Sequence, residues 1–405
     1  MTDFAPARFL DRHSQPHIVT LILLASIGAV TMNMFLPSLP AMATHFNTST
    51  ATMGLAVGVY LGASAVFQIL SGPLSDMIGR RPIVLWSLAI FIAASAAINF
   101  APNLTTFFIL RAVQAVAGTT MVLSRAIVRD TTSTEKAGSR IAYVTMGMSI
   151  VPMISPAIGG YIETHFGWQG NFWMLGLIGA MCFAIAFMDQ GETAPSTSKN
   201  AWAQFQQYPA LLTSQRFWGY CLASSLGSGA FFAYIGGAPF VGSVIYGLSP
   251  QQLGLYFGAP ALGYFVGNFL SGRYSTRFGI DTMVTCGLLI TLFGLSMSFA
   301  ISAASLGSAK AFFGFMTLVG LGNGMTIPNA TAGMLSIKPE LAGTASGLGS
   351  AIMIGGGAAL SAIAGLQLQG ATSDLPLIEL MLVSVFAGLL CILYVMHRNK
   401  VLKRH

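Results

Sequence analysis

Gly72-Pro73-Leu74-Ser75-Asp76-Met77-Ile78-Gly79-Arg80-Arg81-Pro82 sets one acid and two arginines in a tight polar turn between two long apolar runs. The stretch has an echo: Ser71 to Gly79 (SGPLSDMIG) is matched by Ser271 to Gly279 (SGRYSTRFG), an offset of 200 residues in a chain of 405. A repeat at half the chain length reads as two copies of one module. The flanking runs make that module a membrane one, and parallel repeats of membrane modules are the arrangement of secondary transporters.

Composition agrees, with 54% hydrophobic and only 8% charged residues, where soluble domains carry roughly 25% charged. Apolar runs of about 20 residues, enough to cross a hydrocarbon core of about 30 Å, predict helices over 18–39, 51–72, 82–100, 105–127, 139–162 and 168–188, then over 216–238, 251–272, 280–302, 308–331, 343–366 and 376–397. The expected fold is an all-α membrane protein: 12 transmembrane helices in two pseudo-symmetric six-helix bundles, 1–188 and 216–405, joined by a linker over 189–215. The GETAPSTSKN core of that linker suits a solvated connection.

With an even number of helices both termini share a side. Placing them in the cytoplasm puts 17 of the 19 lysines and arginines there, leaving Lys310 outside and Arg111 within a helix. Short loops rich in Lys and Arg stay cytoplasmic, so the net charge of +7 is a topology signal. No basic stretch is interleaved with aromatics as a nucleic-acid groove requires. The lipid bilayer is the expected surrounding, and nothing demands an oligomer, so a monomer is expected.

Enzymatic chemistry has little to stand on. The four cysteines sit singly in different spans and form no metal-binding pattern, and the histidines lie at or beyond span ends. There is no nucleotide-binding loop and no Asp/His pair at membrane depth, so no enzyme, metal or cofactor is expected.

Arg111 is the leading functional candidate. A charge inside a span costs about 2.5–3.5 kcal/mol on insertion scales and marks a functional site by default. Arg111, Gln114 and Gly118 share a helix face by their spacing, and Asn33 lies at a similar depth in the first helix, placed to face the arginine. Arg111 either acts electrostatically, on a proton or an anion, or serves structurally by bonding carbonyls at a helix break. In the fifth helix, Pro152, Pro156, Gly159 and Gly160 predict a kinked rod that packs tightly against the opposite half. Met34, Tyr60, Gln68, Phe231, Phe232, Tyr234, Tyr256, Asn323 and Asn329 offer an apolar and amide lining suited to a drug-sized small molecule.

The Gly72–Arg81 stretch resembles the signature loop between the second and third helices of the major facilitator superfamily, and the likeness extends over essentially the whole chain. The resemblance implies a conformational latch made by Gly72, Asp76, Gly79, Arg80, Arg81 and Asp130. Asp76 would cap the start of the eleventh helix near Leu341 to Ala345, and Arg80 or Arg81 would meet Asp130. The fifth-helix run is similar to the antiporter signature of drug exporters, and Arg111-x-x-Gln114-x-x-x-Gly118 resembles the fourth-helix motif implicated in proton transfer. Met34 to Pro40, Ser124 to Asp130, Tyr234 to Val241 and Pro328 to Ala330 are similar to the Bcr/CflA branch, which implies a bacterial inner-membrane drug:proton antiporter for compounds such as chloramphenicol and bicyclomycin. One residue departs from the pattern. Many branch members carry an aspartate where this chain has Asn33, and an amide cannot titrate. That keeps open the alternative of a symporter or facilitator for a small metabolite.

Overall fold

The computed structural model describes residues 7–132, 140, 144, 147–148, 151–194, 211–337 and 342–402. Among them eleven helical segments are long and apolar enough to cross a membrane. The segment Ile154–Asp189 has 36 residues, about 54 Å of helix, which is too long for one crossing. It breaks at Gly167, where φ is 72° and ψ 175°, and is therefore two spans. The total is the expected twelve. The first part of the fifth helix, expected from 139, falls mostly outside the described residues.

In chain order, α1 comprises Ile18–Asn33 and Leu39–His45, joined by a 3-10 turn at Leu36–Ser38. Next come α2 (Thr50–Ile78), α3 (Arg80–Ile98) and α4, the last made of Leu104–Gln114 and Gly118–Thr131 around a 3-10 turn at Ala115–Ala117. The segment Val151–Asp189 holds α5 (to 166) and α6 (from 168). The second half has α7 (Gln215–Phe240, extended by a π turn at Val241–Ile245) and α8 (Pro250–Tyr256 and Gly258–Phe278). It closes with α9 (Ile280–Ala303), α10 (Ala309–Leu335), α11 (Ala342–Gln367) and α12 (Leu375–Leu402).

The stretch Gly72–Pro82, expected as a turn between helices, is helical on both sides of one residue. Residues 72–78 continue α2 as helix with Pro73 inside it, and a single residue, Gly79, reverses the chain. Its φ of 113° is reserved to glycine, and its N–H bonds Ser75 O at 3.0 Å. The repeat holds to this level: Gly279 has φ 84° and bonds Ser275 O at 2.9 Å.

Asp189, at the end of α6, is fully buried and accepts from Leu10 N at 2.7 Å and His17 N at 2.8 Å. This puts the N-terminal segment and the end of α6 on one face of the bundle, here the terminal face. The opposite, far face carries the α1–α2 and α7–α8 connections. There Asp374, before α12, accepts from Tyr246 Oη at 2.7 Å and from the Ser302 hydroxyl. Burial, then the bond to Asp374, push the Tyr246 phenol far above its ordinary range, so it stays a donor.

Within the second half α10 packs on α8 and α9, and α7 on α11 and α12. Large apolar side chains such as Trp86 (67% exposed), Phe293 (60%) and Val383 (68%) point outward around the bundle, the surface that a bilayer covers. Across the halves α2 meets α11 and α7, and α5 meets α8. These crossings are made at backbone range. A Cβ on Gly54 would lie 2.6 Å from Gly236 O, on Gly58 3.2 Å from Ala358 O, on Gly160 2.5 Å from Pro250 O, and on Gly254 2.4 Å from Pro156 O. All these residues sit in the far-face portions of their helices, and Gln369 adds a hydrogen bond to Thr52 on that face at 3.4 Å. The halves are closed together at the far face.

Candidate functional site

The break in α1 prepares the site. Pro37 has no N–H to donate, and the helix yields to a 3-10 turn at Leu36–Ser38. The last carbonyls of such a helix lack intrahelical partners, and Thr31 O is taken instead by Arg111 Nη2 at 2.9 Å. Arg111 is wholly buried. Its Nη1 donates to Gln114 Oε1 at 2.5 Å, and Gln114 Nε2 donates to Ser95 Oγ of α3 at 2.7 Å. The guanidinium carbon lies 4.0 Å from the Phe35 ring centroid and 4.5 Å from that of Tyr60. The two ring faces together are worth about 2 kcal/mol to a desolvated cation, and Nε has no hydrogen-bond partner among the described residues. No carboxylate pairs with Arg111 among the described residues. The rings and the freed carbonyl do that work.

Sequence reasoning reached Arg111, Gln114 and Tyr60 but not their assembly with Phe35, Thr31 and Ser95. Asn33 does not face the arginine as expected. Its Nδ2 turns back to Ala29 O at 2.8 Å, within its own helix, and Thr31 takes the place opposite Arg111.

At the terminal face, Arg80 spans two acids, with Nη2 2.5 Å from Asp76 Oδ1 and Nε 3.0 Å from Asp130 Oδ2. Its Nη1 also reaches Ser75 Oγ. Arg81 turns away to α6, donating to Gln190 O at 2.8 Å and Phe187 O at 3.0 Å. A Cβ on Gly72 would meet nothing within 4 Å. The expected meeting of Asp76 with the start of α11, near Leu341 to Ala345, begins at residue 341, which lies outside the described residues.

Glu192 is a participant that sequence reasoning missed. It was read as part of a solvated linker, yet Thr193 beside it is buried and its carboxylate caps α3. Oε1 accepts from Arg80 N at 2.8 Å and Oε2 from Arg81 N at 3.2 Å. A Cβ on Gly79 would come 2.4 Å from Oε2, so glycine is needed there for space as well as for φ. Only an Asp or Glu shortly after α6 could have signalled the cap. An anion on a helix N-terminus contributes about 0.5–1 kcal/mol. Glu192→Gln should leave expression unchanged and raise amide exchange at Arg80 and Arg81 several-fold by hydrogen-exchange mass spectrometry, whereas wild-type protection would show that the cap contributes nothing.

In α5, Gly159 packs on its own half, its Cβ position 1.7 Å from Met34 O, while Gly160 meets Pro250 of the other half. Asn171 holds this corner, donating to Gly159 O at 3.1 Å and Ser38 Oγ at 2.8 Å. Pro156 is buried inside the helix and Pro152 partly exposed.

Of the residues expected to line one cavity, Phe231 meets Phe232 at 6.1 Å and stacks on Tyr234 at 6.2 Å, all on α7. Tyr234 is enclosed by the rings of Phe257, Phe312 and Phe313, and Tyr256 stacks on Phe313 at 5.0 Å. Phe232 covers Gly357. Asn329 is tied to Ser271 Oγ and Met325 O, both at 2.7 Å. These four are engaged in packing within the second half. Met34 and Asn323 are buried; Gln68 is buried against Ser64 at 3.1 Å, and Phe231 is partly accessible.

The family model for the Major Facilitator Superfamily matches residues 21–362. The chain belongs to the major facilitator superfamily. Among its relatives in the superfamily is the bicyclomycin resistance protein homolog of Haemophilus influenzae, 26% identical over 94% of this chain and 96% of that protein. The chloramphenicol resistance protein of Pseudomonas aeruginosa is 29% identical over 80% of this chain and 76% of its own length. Multidrug resistance protein D of Escherichia coli K12 is 28% identical over 85% and 88%. A solved bacterial homologue of the lysosomal transporter Spinster, inward-facing and occupied, superposes with a TM-score of 0.70 at 13% identity, covering 95% of this chain and 96% of that one. That likeness concerns the major facilitator fold alone.

Proposed function

We propose that this protein is a secondary active exporter of drug-sized molecules, a drug:proton antiporter of the bacterial inner membrane with both termini cytoplasmic. The two halves, 1–188 and 216–405, joined by the linker 189–215, rock about a central cavity in alternating access. The observation that carries the reading is the one-sided seam: α5 against α8 and α2 against α11 meet at backbone range at the far face. With the termini inside, that face is the outer one, and the seam is the barrier that must open for a drug to leave. Resistance to chloramphenicol and bicyclomycin among the relatives supports the substrate class. Gly72, Asp76, Gly79, Arg80, Arg81 and Asp130 act as the inner latch, and Arg111 with Gln114 as the electrostatic element of coupling.

The alternative, a symporter or facilitator, draws on one observation. Neither Asn33 nor any carboxylate accompanies Arg111 among the described residues. Uptake of labelled chloramphenicol into inverted vesicles, acid inside, decides between the two. Antiport predicts uptake that collapses with the pH gradient; uptake indifferent to the gradient transfers the assignment to the alternative.

A further inference from the structure

Leu10 is held in a backbone conformation that a side chain of its size adopts only at a cost. Its φ is 65°, in the left-handed region that favours glycine, and its N–H is fixed by the buried carboxylate of Asp189. The same carboxylate takes the N–H of His17. Between the two, the buried Ser14 accepts from Arg8 N and donates to Asp11 O, both at 2.9 Å. Arg140 adds bonds to Gln15 Oε1 and Pro16 O, both at 3.0 Å. The segment 8–17 is thus pinned at several points, and the strain at Leu10 is maintained by groups from distant parts of the chain.

What this arrangement presents is apolar. Leu10 is 43% exposed, and Phe187 and Met188 in the last turn of α6 are 49% and 45% exposed. They share one shallow groove, lined by Leu10, Asp11, Arg12, His13, Phe187 and Met188. Asp11 is engaged there, its Oδ1 accepting from His13 N at 3.0 Å. Arg12 is exposed, with its backbone seated on the chain just beyond α6: a Cβ on Gly191 would lie 2.3 Å from Arg12 O. A second guanidinium, of Arg81, lies over the Phe187 ring at 5.1 Å. The groove therefore joins apolar walls to fixed cations.

Its depth is that of the lipid headgroups. The sixth span, expected to end at 188, finishes at this groove. Trp86, on α3 five residues after Arg81, points outward at the same end of the bundle, and exposed tryptophans mark the membrane interface. In water a strained loop that sets out an apolar side chain gains nothing; at the headgroup boundary that side chain is covered.

We propose that this groove is a site for an anionic phospholipid of the leaflet at the terminal face, with the headgroup phosphate on the guanidinium of Arg12 and the glycerol and upper acyl carbons against Leu10, Phe187 and Met188. A guanidinium matches a phosphate in charge and fork geometry, and anionic headgroups gather at basic residues beside a span. The inference goes beyond the exporter reading and is independent of the direction of transport.

The test uses the purified full-length protein in detergent, titrated with dioleoyl phosphatidylglycerol or dioleoyl phosphatidylcholine. Lipid retention is read by native mass spectrometry and stability by thermal unfolding. Phosphatidylglycerol is expected to be retained at least tenfold better than phosphatidylcholine and to raise the melting temperature by several degrees. Arg12→Gln should bring its retention down to that of phosphatidylcholine, with an unchanged melting temperature in the absence of added lipid, and Arg12→Lys should restore much of the difference. Leu10→Gly gives the contrast. It relieves the backbone strain, so the lipid-free protein should melt no earlier than the wild type, yet the gain from phosphatidylglycerol should shrink. Equal retention of the two lipids, or an effect of phosphatidylglycerol undiminished by either variant, overturns the proposal. So does equal stabilisation by inorganic phosphate, which would make the groove an ion site with no part for the acyl chains. If Arg12→Gln melts early without lipid, the contrast between the two lipids and the glycine variant still decide.

Discussion

Gly160→Val is expected to abolish export while the protein still folds and reaches the membrane. A Cβ at Gly160 would lie 2.5 Å from Pro250 O, 3.1 Å from its carbonyl carbon and 3.2 Å from Gln251 Cα, all backbone of the other half. None of these atoms can rotate away, so the halves must separate at the far face by several tenths of an ångström for Cβ alone and by more for the methyls of valine. The contacts inside each half are untouched. The variant should therefore be held open at the far face. Alkylation of a cysteine introduced at Gln251 should rise at least tenfold, with drug transport near background. Gly254→Val, whose Cβ position is 2.4 Å from Pro156 O, should behave alike. The neighbouring glycine gives the contrast: Gly159→Ala drives a Cβ to 1.7 Å from Met34 O within the same half and should appear as loss of folded protein. If Gly160→Val transported like the wild type, the α5–α8 seam would not be the barrier.

Arg111→Ala is expected to lose transport and stability together. The substitution empties the space between Phe35 and Tyr60, and leaves Thr31 O and Gln114 Oε1 buried without their donor. A buried acceptor left unsatisfied costs about 1–3 kcal/mol and the lost ring contacts about 2 kcal/mol more. Non-additivity brings the total to roughly 3–4 kcal/mol. Arg111→Lys separates the two roles. Lysine keeps the charge between the rings but cannot serve Thr31 and Gln114 in the same fork, so much of the stability should return. If the charge alone drives coupling, gradient-dependent transport returns with it. A lysine variant that folds yet ignores the pH gradient assigns coupling to the fork geometry, and full gradient-driven transport by Arg111→Ala would remove the residue from the mechanism.

Much of this was legible in the sequence because hydropathy reports what lipid requires. The twelve spans and a turn within Gly72–Pro82 came from the 20-residue runs and the repeat at 200 residues; that Gly79 alone makes it did not. The close approach of Gly160 to the opposite half follows from a residue with no side chain to keep helices apart, whereas Gly159, expected to do the same, packs on Met34 of its own half. Hydropathy does not report helix ends. α2 continues to Ile78 through Pro73 and Asp76, beyond the expected end at 72, because a helix leaving the bilayer needs no further apolar side chains. Partners distant in sequence were hidden for another reason. Glu192 meets Arg80 across 112 positions, and Arg111 meets Thr31 across 80, so no local pattern joins them. Asn33 misled because depth along a helix was used without its rotation: Thr31 and Asn33 lie on one continuous helix, two residues and hence about 200° apart.

The two glycine turns, Gly79 and Gly279, share their backbone geometry but not their company. Around the first stand Asp76, Arg80 and the borrowed carboxylate of Glu192; at the second, Thr276 and Ile280 occupy the positions of Asp76 and Arg80. Both copies keep the glycine turn, and the acid and arginine at positions 76 and 80 stand in the first copy alone. The latch proposed above is therefore a property of the first half, with no counterpart at 276 and 280. Removing the cluster at Gly79 leaves no second copy at Gly279 to stand in for it.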